Sequence, residues 1–125
     1  MALMVWKDAY SVGNELLDSQ HKQLIALVND VNGDADLGEV LEGLRRYGEA
    51  HFRAEEDLLE VARYPDLEQH RLHHEAFRAW LAEVIAARRS GGDNAVARRD
   101  VHHYLSIWLA NHLLVADKAF EPWMD

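Results

Sequence analysis

The chain has 125 residues, 49% of them apolar, which suits one domain around one core and leaves no room for a second module of ordinary size. A formal net charge of -9 and a pI near 5.3 argue against nucleic acid and anionic lipid as partners, because both attract clustered Lys and Arg. No stretch reaches the roughly 20 apolar residues that span a bilayer, and residues 1–13 carry Lys7 and Asp8 without the order of a signal peptide, so the expectation is a cytoplasmic protein with no membrane insertion.

With no cysteine in the chain, any metal must be held by nitrogen and oxygen. Histidine supplies nitrogen at eight positions: His21, His51, His70, His73, His74, His102, His103 and His112. Gly, Pro, Asn and Asp cluster around 32–36, 64–66 and 91–94. These breaks predict helices over about 19–31, 37–61, 67–89 and 95–115 behind an N-terminal arm, 1–17, all within one domain covering 1–125. Connections this short make neighbours antiparallel, so the predicted class is all-α, an up-down-up-down antiparallel four-helix bundle.

Each predicted helix carries an apolar stripe with a polar interruption. The first reads Leu17, His21, Leu24, Val28 and Val31, and the second Leu44, Tyr47, His51, Glu55, Leu58 and Ala62. The third reads Leu67, His70, His74, Phe77, Leu81 and Ile85, and the fourth Val101, Leu105, Trp108 and His112. Every helix therefore turns a histidine inward, and the second adds a carboxylate.

A four-residue step on a helix brings two side chains within about 40° of each other and one turn apart, so His51 with Glu55 and His70 with His74 can each grip a metal from one helix. Burying five imidazoles and a carboxylate without partners costs several kcal/mol per charged group. One ion cannot use so many ligands, whereas two ions sharing bridging carboxylates can, with Asp117 as the second bridge. His112 and Asp117 are five residues apart, about 140° on a regular helix, so the spacing predicts a local departure from regular helix between them. His73, His102 and His103 read as surface or flanking residues, Glu56 and Asp57 as solvated charges, and Tyr47, Phe77 and Trp80 as packing. The donor set suits zinc and manganese as well as iron.

The ordered set of His21, His51 with Glu55, His70 with His74, and His112 with Asp117 resembles the hemerythrin pattern, in particular that of bacterial hemerythrins. The resemblance spans nearly the whole chain. It takes in Trp6, the run Leu17-Asp18-Ser19-Gln20-His21, Phe52 and Glu56 beside the second helix's ligands, the Tyr64-Pro65 turn, and Trp108-Leu109 ahead of His112. It implies two non-haem iron ions, one held by His70, His74 and His112 and the other by His21 and His51. Glu55, Asp117 and an oxo or hydroxo group would bridge them. The second iron then keeps an open position for dioxygen, in a pocket expected from Leu24, Phe52, Trp108, Leu113 and Val115. The resemblance further implies reversible oxygen binding rather than catalysis, for storage, delivery or sensing, in a monomer with a possible protein client. An oxidase, a peroxidase or a nitric-oxide-handling enzyme on the same scaffold is the alternative.

Overall fold

Four amphipathic segments with short connections have one compact solution, in which each turns its apolar stripe toward the others. In the computed structural model, residues 3–91 and 95–124 are described, with side chains outside 89–91 and 95–97. The helices are α1 (Glu15–Asp30), α2 (Leu37–Val61), α3 (Leu67–Gly91) and α4 (Ala95–Asn111). They form an all-α four-helix bundle in which α1 packs on α2 and α4, and α2 packs on α3. The break expected at 91–94 falls largely on 92–94, outside the described residues.

Local chemistry sets the helix ends. The first helix begins at Glu15 rather than Ser19, because the Asn14 side chain accepts the Leu17 N–H at 3.0 Å and caps it there. Asp36 caps α2 in the same way through the Glu39 N–H at 3.0 Å. At the far end of α2, Arg63 takes a left-handed conformation with φ +58°. Tyr64 N–H then reaches back to the Leu59 carbonyl and Arg63 N–H to that of Glu60, closing a Schellman turn in which Tyr64 and Leu59 share one apolar cluster.

The arm is fastened by specific bonds. Met4 exchanges two hydrogen bonds with the Asn29 side chain, its N–H donating at 2.9 Å and its carbonyl accepting at 2.7 Å. Lys22 lies over the Trp6 ring at 5.0 Å, and Asp18 accepts from Ser11 Oγ and from the Val12 N–H. His102, read as a surface or flanking residue, is 2% exposed, because its ring nitrogen meets Asn29 Oδ1 at 3.2 Å where the arm and α1 cover α4. His73 and His103 are exposed, as read from the sequence.

The core is in two apolar parts. The larger is built around Leu24, Val28, Leu44, Phe52, Phe77 and Leu105, and the smaller is made of Val12, Leu17, Leu59, Tyr64 and Phe120. On every helix the inward histidines lie between these two parts, so the bundle is apolar at both ends of a buried polar layer. Among the described residues no helix is long and apolar enough to cross a membrane.

Candidate metal centre

The polar layer gathers seven side chains from four helices. His21 comes from α1, His51 and Glu55 from α2, His70 and His74 from α3, and His112 and Asp117 from the continuation of α4. All seven are buried. On α2 and α3 the placement follows from the four-residue spacing. Beyond Asn111 the chain widens into a π-helical segment, His112–Asp117. A π-helix pairs residues five apart, which places His112 and Asp117 on one side. The five-residue spacing that a regular helix could not serve is served this way.

Each carboxylate divides its oxygens between two histidine sets. Glu55 Oε1 lies 2.5 Å from His70 Nε2 and 3.1 Å from His74 Nε2, while Oε2 lies 3.2 Å from both His21 Nε2 and His51 Nε2. Asp117 Oδ1 lies 3.1 Å from His70 Nε2 and 3.0 Å from His112 Nε2, while Oδ2 lies 3.0 Å from His21 Nε2. Two adjoining groups of donor atoms result, Glu55 with His70, His74 and His112, and Glu55 and Asp117 with His21 and His51.

These donors fit cations better than they fit one another. Both Asp117 oxygens are close to ring nitrogens, yet neither is aligned for a hydrogen bond, and His51 Nε2 and His112 Nε2 are equally buried without one. Buried polar atoms left in this way are costly, and a cation at the focus of each set satisfies them together. Imidazole and carboxylate are the donors expected for a first-row divalent ion.

Of the residues expected to line a gas pocket, Leu24, Phe52 and Trp108 do border an apolar cavity of about 10 Å³, room for one water-sized molecule. Val28, Leu44, Gly48, Phe77, Leu105 and Leu109 complete its wall. Leu113 is fully buried but is not part of that wall. Val115 is corrected outright: at 65% exposure it faces away, because the π-helical turn that brings Asp117 inward carries Val115 out. The cavity lies one helical turn from His21 and His51, through Leu24 and Gly48.

Three comparisons bear on this arrangement. The pattern of the Hemerythrin HHE cation binding domain family matches residues 12–124. A bacteriohemerythrin of Stenotrophomonas maltophilia is 34% identical over 96% of this chain and 80% of its own, and one of Ralstonia nicotianae is 32% identical over 99% and 90%. The crystal structure of a wild-type hemerythrin superposes with a TM-score of 0.86 at 26% identity, covering 98% of each chain. The chain belongs to the hemerythrin family.

Two residues outside the set of seven orient this hemerythrin's imidazoles. His51 Nδ1–H donates to Gln20 Oε1 at 2.7 Å, and His74 Nδ1–H donates to Glu56 Oε2 at 2.6 Å. Glu56, read from the sequence as a solvated charge, is thus turned against α3, with Arg71 at 3.6 Å and Arg78 at 3.9 Å. Aromatic faces hold the rings as well: Phe52 stacks on His74 at 3.9 Å and Trp108 on His112 at 4.7 Å.

Burial opposes charge on His21, His70 and His112, but contact with Asp117 and Glu55 outweighs it and raises each to about 9. Burial pushes the other way on Asp117 and Glu55, yet the facing imidazoles hold both carboxyls below their ordinary range. His51 is the exception, with burial lowering its pKa. Without metal, the layer is therefore held by protons on three histidines.

The sign of the pH dependence follows. A histidine raised from 6.5 to about 9 on folding contributes stability that is complete below 6.5 and lost as the pH climbs through 9, whereas the depressed carboxyls contribute above their ordinary range and lose it in acid. Bound metal requires bare nitrogens, so the loaded protein runs the opposite way. The difference in Tm between loaded and metal-free protein should widen between pH 6.5 and 9, and a metal-free Tm that stays flat or rises over that window contradicts it. Replacing Glu56 by Gln leaves packing intact but removes the charge behind His74. Iron affinity measured against a competing chelator should fall about 10- to 100-fold, and no change would remove Glu56 from the ligand-orienting role.

Proposed function

We propose that this protein binds dioxygen reversibly at a non-haem di-iron centre and serves oxygen storage, delivery or sensing. The observation that carries the reading is the unequal division of nitrogens across two shared carboxylates. His70, His74 and His112 would hold one iron, His21 and His51 the other, and Glu55 and Asp117 each offer one oxygen to either side. The two-histidine side is one protein donor short, and the apolar cavity lies one helical turn from its histidines through Leu24 and Gly48, as it does from those of the other side through Phe77 and Leu109. Iron held by these residues would supply the redox chemistry of binding, two electrons lent to a diatomic ligand and recovered on its release.

The protein's own groups favour return over onward reaction. The cavity wall is formed by Leu24, Val28, Leu44, Gly48, Phe52, Phe77, Leu105, Trp108 and Leu109, none of which carries an acid or base. A site that withholds protons from its ligand suppresses its conversion to a released, protonated product. Gln20 and Glu56 fix the ring planes of His51 and His74, and the buried Phe52 keeps bulk water from the layer. The similarity to bacteriohemerythrins supports the same reading.

Protein loaded with ferrous iron in the absence of air, exposed to air and then degassed should return to its starting absorption spectrum through repeated cycles. Net consumption of oxygen with steady formation of peroxide or water, and no recovery on degassing, would instead make it an enzyme.

A further inference from the structure

A ligand must reach the apolar cavity from outside the bundle, and at one place the cavity shares its wall with a surface groove. On the outer face of the α2–α3 pair lies a groove of about 200 Å³ bordered by Arg45, Glu49, Phe52, Phe77, Arg78 and Leu81. Phe52 and Phe77 border the inner cavity as well. Groove and cavity are thus separated by two phenyl rings, packed edge to face with centroids 5.7 Å apart. Above them Arg78 grips Glu49 through two hydrogen bonds at 2.6 and 3.2 Å and spans from α3 to α2 with its guanidinium 5.4 Å from the centre of the Phe52 ring.

Gly48 is the independent sign. It lies within α2 in ordinary helical conformation, since Gly13 is the one glycine with positive φ among the described residues. Glycine inside a helix is less stable than alanine, and no backbone need excuses it here. Nor does crowding: a methyl group at this position would meet Phe77 at 3.8 Å and Phe52 at 4.0 Å, ordinary contact distances. What the missing methyl leaves is space beside the two rings that part groove from cavity.

We propose that the neutral diatomic ligand enters and leaves between α2 and α3, past the Phe52–Phe77 pair through the gap at Gly48, with the Arg78–Glu49 clamp governing how often that gap opens. This rests on the oxygen-binding reading for its ligand. The chemistry of the path fits such a ligand: the clamp presents charge only at the mouth, and the two phenyl rings offer nothing to replace the hydration of an ion.

Two variants test the route without touching the ligand set. Gly48→Ala, which adds a methyl to the cavity wall as well as to the gap, should fold with equal or higher Tm and slow both oxygen uptake and release in stopped flow roughly three- to tenfold, with a smaller change in Kd than in either rate. Glu49→Ala, which frees the clamp and leaves Glu56 its arginine, should speed both. A second readout uses zinc-loaded protein, where dissolved oxygen quenches tryptophan fluorescence. Gly48→Ala should reduce that quenching and Glu49→Ala increase it, and both differences should vanish when Trp108 is replaced by Phe. Rates and quenching unchanged in both variants would place the entrance elsewhere, and a change in release alone with shifted Kd would make Gly48 part of the ligand's seat rather than its path. Because the zinc protein reports on passage without iron chemistry, failure of reversible binding and failure of the route are told apart.

Discussion

Two carboxylates stand in the driest layer of this molecule, and they can remain ionised there only if positive charge is supplied within about 3 Å. Glu55 and Asp117 are both fully buried, and each reaches nitrogens on two sides. Without metal the charge must come from protons on His21, His70 and His112, an arrangement that leaves both Asp117 oxygens and four ring nitrogens, on His21, His51 and His112, without aligned hydrogen bonds. Two cations would resolve that conflict. The bundle around the layer, apolar at either end, then serves to keep water out and the donors in register.

Helix geometry delivers this register by two different means. On α2 and α3 a regular four-residue step is enough, and Phe52 and Trp108 lock the rings from outside the layer. At the end of α4 regular geometry fails, and the π-helical His112–Asp117 segment supplies the second shared carboxylate at a spacing no α-helix could use. The same turn throws Val115 into solvent. One local irregularity therefore builds one side of the centre and trims the pocket wall on the other. Outer partners differ between the two sides too: an amide behind His51 and a carboxylate behind His74 make the imidazoles unequal donors.

How much was legible from residues alone follows from what periodicity can see. Inward faces of single helices were readable, so the histidines of α2 and α3, Glu55, and even the need for a loosened turn before Asp117 came from spacing. Contacts made by a neighbouring element were not. Glu56 sits about 100° around α2 from Glu55 and reads as outward, yet α3 packs at that angle and its His74 nitrogen finds it. Gln20, named only within the run that leads to His21, has no role readable from spacing for the same reason. The available signal was chemical rather than periodic, since a ligating imidazole needs a partner for its second nitrogen and polar residues adjoining ligands are the candidates. His102 was misjudged because its cover comes from the arm and Asn29, which no pattern within α4 reveals. Gly48, unremarkable as a letter, gains meaning only beside Phe52 and Phe77.

The central claim is that this layer is built for two ions sharing two carboxylates. Metal-free protein titrated with ferrous ion in the absence of air, desalted and subjected to elemental analysis, measures it directly. Two irons per chain are expected. A plateau at one iron, or no retained iron, would contradict it.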